Sequence, residues 1–196
     1  MPINDYELYT CKTALNISKE THINFSASIN PYIGCIHSCK YCYVQADKYR
    51  HRQAKSPEDL FKKVRIKTNI AEQLAKEINR LNKKGLSGTI CLGSSSDPYQ
   101  ICESEYFLSR KISEIILMNS NFNLHIFTKS PLILRDIELF KKYKDRVGIS
   151  VSIITIDEKI RKIFEPGTVK VSDKLNIIKE FCKNGINCGC AIMPIL

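Results

Sequence analysis

Three cysteines fall within eight residues, in the run Gly34-Cys35-Ile36-His37-Ser38-Cys39-Lys40-Tyr41-Cys42. Their spacing is C-x3-C-x2-C. Thiolates are soft metal ligands, and three so close along one chain cannot all turn into a core. One loop can wrap them around a single metal centre. A cubane iron–sulfur cluster would take these three and keep one iron free of protein, because the next cysteine is Cys91. An iron left open is a place for a ligand to bind and react. Two other readings of the same residues stand beside this one. His37 completes a closed, four-coordinate zinc site, or the cysteines cluster by chance.

The remaining six cysteines are scattered, as suits small buried hydrophobes. The total is nine. An odd count argues against a disulfide framework, and MPINDYELYTCK lacks the basic and apolar regions of a signal peptide. Both features place the chain in the cytoplasm. No apolar stretch approaches the roughly 18 residues of a membrane span. With 196 residues, 43% of them hydrophobic, the expectation is one domain over 1–196, its first 23 or so residues an extension.

Thirty Lys and Arg against twenty Asp and Glu give a formal charge of +10. A basic surface is one footprint of nucleic-acid binding, so nucleic acid is a candidate partner. Lysine outnumbers arginine 22 to 8 beside 28 isoleucines and 13 asparagines, however, which fits a general compositional drift. The longest basic run, Lys48-Tyr49-Arg50-His51-Arg52, follows the cysteine loop.

Strand-like runs alternate with helical periodicity around this loop. Strands are expected at 24–33, 89–93, 124–128, 147–154 and 187–192, rich in residues that suit burial on both faces. Asn69 with Glu72 opens a helix carrying Ile70, Leu74, Ile78 and Leu81, and Gly85 stops it. A helix over 104–119 presents Leu108, Ile112 and Ile115. Ser130-Pro131 opens one with Leu134, Ile137 and Phe140, and Ser172-Asp173 opens another with Leu175, Ile178 and Phe181 inward. Such alternation implies an α/β fold of parallel strands joined by right-handed crossovers. A closed barrel needs about 250 residues, so a partial (β/α) barrel of about five strands is expected. Working groups should gather at the carboxyl ends of its strands, where Cys35, Ser96-Asp97, Lys129 and Ser152 all fall.

C-x3-C-x-(aromatic)-C after a first strand resembles the signature of the radical S-adenosylmethionine (radical SAM) superfamily. More narrowly, the chain resembles its spore photoproduct lyase-like branch. The resemblance rests on Asn30-Pro31-Tyr32-Ile33-Gly34-Cys35, Tyr41-Cys42-Tyr43, Asp97-Pro98-Tyr99-Gln100, Ser109-Arg110-Lys111, Thr128-Lys129-Ser130, Arg135-Asp136, Val151-Ser152-Ile153 and Glu165-Pro166, in that order. It implies that Cys35, Cys39 and Cys42 hold a four-iron four-sulfur cluster whose fourth iron is chelated by S-adenosylmethionine. Reductive cleavage would then give a 5′-deoxyadenosyl radical that abstracts hydrogen from a substrate. A reduced flavodoxin- or ferredoxin-type protein would be the electron donor.

Group chemistry suggests the cofactor contacts. Lys129 offers a cation to a carboxylate or ribose, Ser96 and Ser152 (or Ser150) offer hydroxyls, Asp97 accepts a ribose hydroxyl, and Tyr41 forms a wall. Glu165-Pro166-Gly167 reads as a helix end. Photoproduct lyases carry a hydrogen-donating cysteine just before this Ser-Asp, where the chain has Ser94 and Ser95. The family would also continue through another helix and strand beyond Leu196, so the C-terminal part of the barrel is expected to be missing and its last apolar strand uncovered. The competing readings are a metal-cluster or nucleic-acid-binding module, and a truncated inactive remnant.

Overall fold

Runs such as Leu124–Thr128 and Val147–Ser152 combine β-branched and apolar residues, and they form the centre of a sheet. The computed structural model describes residues 6–17, 25–46, 56–57 and 59–194. In chain order the strands are β1 (Tyr6–Tyr9), β2 (Asn16–Ile17), β3 (Ala27–Ile29), β4 (Tyr32–Ile33), β5 (Val64–Lys67), β6 (Thr89–Leu92), β7 (Asn123–Thr128), β8 (Val147–Ser152) and β9 (Asn187–Ala191). The main sheet has the order β2-β3-β6-β7-β8-β9. Its last five strands are parallel, and β2 runs antiparallel to β3. A second, three-stranded sheet of order β1-β5-β4 was not anticipated from sequence.

The helices are α1 (Asp59–Lys62), α2 (Ile70–Lys83), α3 (Glu103–Tyr106), α4 (Leu108–Asn119), α5 (Ile137–Lys142), α6 (Glu158–Phe164) and α7 (Val171–Lys183). The helix-covered face of the sheet buries Ile90, Leu92, Leu124, Ile126, Ile149 and Val151 against Ile112, Ile116, Phe140, Ile177 and Phe181. The other face is lined in part by His125, Phe127, Ser150 and Ser152, all half-buried. Phe25 packs on it, 5.4 Å from the His125 ring and 6.0 Å from that of Phe127. β2 and β9 do not pair, so the sheet is an open α/β array.

The differences from the expected elements have identifiable causes. The first strand breaks after Ile29 because Pro31 has no N–H for a ladder and Asn30 turns its side chain onto the Ser94–Ser96 loop. Tyr32 and Ile33 then pair with β5 instead. The helix expected over 104–119 is two helices, broken at Phe107, whose φ is +53°. Glu103 is the reason. Its carboxylate accepts from the backbone N–H groups of Ser109 (2.9 Å) and Arg110 (3.3 Å) and so caps α4.

Asn69 does not cap α2. Its side chain instead holds both backbone groups of Cys11, while Glu77 accepts from the Ala14 and Leu15 N–H groups. Residues of the expected extension, Cys11, Ala14 and Leu15, thereby join the core. α7 begins at Val171, and its buried stripe is Val171, Lys174, Ile177 and Phe181; Leu175 is 49% exposed. Ser130 caps its helix as expected, accepting from the Leu132 N–H, though the first six residues are a 3-10 turn over Pro131–Asp136. α6 was missed. Asp157 caps it by accepting from Lys159 and Ile160.

At the far edge β9 has no strand on its outer side among the described residues, and Ile192 and Met193 beyond it are exposed. The basic run 48–52, together with Ile195 and Leu196, lies outside the described residues. Among those described, no helix is long and apolar enough to cross a membrane.

Candidate functional site

The cysteine loop leaves β4 through Gly34, at φ +91°, where an added Cβ would meet the Lys63 carbonyl at 2.4 Å. Three neighbours then grip it. From below, the Cys35 N–H donates to the Leu60 carbonyl at 3.0 Å. From the loop after β6, the Gln100 amide donates to the Gly34 carbonyl and accepts from the Ile36 N–H, both at 3.2 Å, bracketing Cys35. At the end of α6 and just after it, the Phe164 carbonyl accepts from the Lys40 N–H and the Gly167 N–H donates to the His37 carbonyl. A Cβ at Gly167 would stand 2.2 Å from the Ile36 carbonyl oxygen, so this approach requires glycine.

His37 has both ring nitrogens engaged. Nε2 is 2.8 Å from Asp97 Oδ2 and Nδ1 is 3.2 Å from the Gly167 carbonyl. It is therefore a strut between two loops and does not serve as a fourth zinc ligand. All three cysteines are free thiols, with Cys39 buried and Cys35 and Cys42 half-buried. Burial pushes Cys35 up to about 12 and Cys39 up to about 11. Burial raises Cys42 too, while backbone groups of Val44 and Gln45 pull it down. Such thiols give up their protons when a cation takes the charge. Among the described residues no three His, Cys, Asp or Glu side chains converge as ligands of one metal ion.

Asp97 is saturated. Besides His37 it accepts from Thr128 Oγ1 (2.7 Å), the Lys129 N–H (2.7 Å) and the Tyr99 N–H (2.9 Å). Its own burial would raise its pKa, but the His37 charge and these donors outweigh that and hold it down at about 2. Ser96 turns its hydroxyl onto the Tyr32 carbonyl at 2.8 Å. Lys129, at the end of β7, points its ammonium toward the Tyr41 ring, 6.0 Å from the centroid, and toward Glu165 Oε1 at 3.8 Å. Burial alone would lower its pKa; the Cys39, Glu165, Asp97 and Cys35 charges raise it. Tyr41 donates its hydroxyl to Glu165.

The structure thus brings Tyr41, Asp97 and Lys129 together against the cysteine loop, with Ser96 one residue removed. Ser152 is the last residue of β8, on the same face as Ser150, and its hydroxyl has no partner among the described residues. Ser150 is committed to His125 Nε2 at 2.9 Å. Sequence reasoning missed Gln100, Gly167, Glu165 and Lys174. Gln100 and Glu165 lie in motifs that carry the resemblance, and Lys174 left a signal as a lysine on the buried period of an apolar stripe.

Behind the site lies a second polar cluster. Fully buried Glu103 and Asp136 share Arg135, at 2.8 Å and 2.9 Å, and Asp136 also takes Arg110 at 3.0 Å. Tyr32 donates to Glu103, and Tyr99 donates to Asp136 at 3.0 Å. One tyrosine precedes the cysteine loop and the other precedes Gln100, so both loops are tied to the same pair of carboxylates.

A family model described as the Radical SAM superfamily matches residues 29–196. An uncharacterized protein of Mycobacterium tuberculosis, Rv2578c, is 31% identical over 189 residues, which are 95% of this chain and 54% of that protein. The uncharacterized protein MJ0683 of Methanocaldococcus jannaschii is 30% identical over 168 residues, 86% of this chain and 60% of that one. The chain therefore spans little more than half the length of these relatives. Spore photoproduct lyase complexed with dinucleoside spore photoproduct superposes with a TM-score of 0.76 at 19% identity, covering 97% of this chain and 52% of that one. A mutant of that lyase with bound AdoMet and the dinucleoside gives 0.72, also at 19%, covering 96% and 51%. The fold is of that lyase's kind.

Proposed function

The chain belongs to the radical SAM superfamily, and from that premise we propose that it holds a four-iron four-sulfur cluster through Cys35, Cys39 and Cys42 and acts on S-adenosylmethionine. The observation that carries this reading is the loop itself. Three soft thiols sit on one backbone gripped from three sides, and the adjacent His37 is already spent. In a cubane each thiolate serves a different iron, so the sulfurs need not converge as they would on a single ion. When bound, the cluster supplies the electron that breaks a carbon–sulfur bond of S-adenosylmethionine, leaving methionine and a 5′-deoxyadenosyl radical to take hydrogen from the substrate.

The chain's own part is positioning. Lys129 offers its ammonium to the carboxylate of the cofactor, Tyr41 walls the site beside it, and Ser152 contributes an uncommitted hydroxyl. Ser96 and Asp97, engaged by Tyr32, His37, Thr128, Tyr99 and Lys129, hold the loops in register beside the site. Nucleic acid is the substrate class this reading favours, on the charge of +10 and on the dinucleoside bound by the lyase of the same fold. Ser94 and Ser95 stand where a photoproduct lyase carries its cysteine, so the reaction is lyase-like without being assigned to that repair. A flavodoxin- or ferredoxin-type donor supplies the electron.

Anaerobic reconstitution followed by iron, sulfide and zinc analysis tests the reading, with about four irons and four sulfides per chain expected. Adding reductant and S-adenosylmethionine should then release 5′-deoxyadenosine. Stoichiometric zinc without iron, or a replete cluster that neither binds nor cleaves the cofactor, would overturn it. Salt-sensitive binding to DNA or RNA checks the substrate class.

A further inference from the structure

A lysine with 1% side-chain exposure sits on α7 between the core residues Val171 and Ile177. A buried ammonium is strongly unfavourable without a matched anion, so Lys174 needs its partner, the fully buried Glu165. The two Glu165 oxygens are used unequally. Oε2 takes the Lys174 ammonium and lies 3.5 Å from the Thr168 hydroxyl. Oε1 takes the Tyr41 hydroxyl and stands 3.8 Å from the Lys129 ammonium, beyond hydrogen-bond distance. Two ammonium groups therefore face one carboxylate, and Lys174 holds the close position.

Among the described residues Lys129 has no other close carboxylate. Asp97, on the loop after β6, accepts the Lys129 backbone N–H, and its carboxylate is otherwise engaged by His37, Thr128 and Tyr99. Among the described residues the Lys129 ammonium thus has no carboxylate within hydrogen-bond reach, on a side chain with 17% exposure beside Tyr41.

We infer that Lys174 is a positioning residue that sets the charge of the site: by occupying Glu165 it keeps the Lys129 ammonium available to the carboxylate of an amino-acid-bearing ligand. The inference rests on the proposed reading that Lys129 meets the carboxylate of S-adenosylmethionine. Without Lys174, Lys129 is the nearest cation left to Glu165 and closes on it. A ligand carboxylate then meets a neutral pair.

The test compares Lys174→Met, Lys174→Arg, Lys129→Met and the double variant Glu165→Gln/Lys174→Met, each reconstituted anaerobically. The readout is S-adenosylhomocysteine binding by calorimetry, with iron per chain measured on the same samples. Lys174→Met should bind about tenfold more weakly at unchanged iron, the loss of one charge-assisted contact. Lys174→Arg should bind nearly as wild type, and the double variant should recover most of the loss, since Glu165→Gln frees Lys129 again. The double variant buries neither charge, so it also serves if Lys174→Met folds poorly. In metal-free protein, acetylation of Lys129 followed by mass spectrometry should slow in Lys174→Met and return to the wild-type rate in the double variant. A merely structural lysine would not give that rescue. Wild-type affinity in Lys174→Met, or a folded double variant no better than the single one, overturns the inference while Lys129→Met still weakens binding. If Lys129→Met binds as tightly as wild type, the cofactor reading falls and this inference falls with it.

Discussion

Two clusters of fully buried carboxylates lie within this fold, and they are neutralised differently. Glu103 and Asp136 are met by arginines, whose planar forks satisfy several oxygen lone pairs at once; Arg135 alone bonds both carboxylates and the Glu103 carbonyl. Its guanidinium also stacks 4.5 Å over Phe107. Glu165 is met by lysines, compact point charges on flexible stems, one close and one loose. The difference tracks position. The arginine cluster sits behind the loops and fixes their geometry, whereas the lysine cluster sits at the cysteine loop and keeps a charge in hand.

If that division holds, Arg135→Met should cost the most. Two buried carboxylates lose a shared partner, and the urea-derived stability of the metal-free protein should fall by about 3 kcal/mol, the low end for a broken buried pair. Gly167→Ala comes next. Its Cβ would overlap the Ile36 carbonyl, so the cysteine loop must shift; overpacking of this kind costs about 1–3 kcal/mol, and iron retention after desalting should drop with it.

Lys129→Met should lower the urea-derived stability by no more than about 1 kcal/mol, because its ion pair is long and weak, yet it should impair cofactor binding. A large stability loss there would erase the contrast between the clusters. Smallest is Cys11→Ala, with a stability change of about 1 kcal/mol or less and iron content unaltered. Cys35→Ala, Cys39→Ala or Cys42→Ala should each abolish iron binding, which metal analysis of reconstituted samples reads directly.

Much of the scaffold was legible because its signals are local. The five parallel strands announce themselves as short apolar runs, and the cysteine loop by three ligand-type residues in eight. What was missed depends on partners distant in sequence. The 104–119 periodicity runs unbroken through Phe107, and nothing local says that the Glu103 side chain will cap a new helix. Glu165 looks like a helix end because its meaning comes from Tyr41, 124 residues earlier, and Lys174, nine residues later. The roles of Asp97 and Ser96 turned on the same point: both types suit a ligand contact, and in the fold both are consumed by neighbouring loops.

The three-sided grip on the cysteine loop also sets an order of events during folding. Its contacts join residues 60, 66 and 130 positions apart, from His37 to Asp97, Gly34 to Gln100 and His37 to Gly167. Closing loops of that length costs entropy before any contact rewards it, so such pairings form late. In a zinc finger the metal nucleates its own loop. Here the β/α units from β6 to α6 must be in place before the last clamp at Gly167 can close. On the proposed reading, metal insertion would therefore be a step taken by an assembled chain.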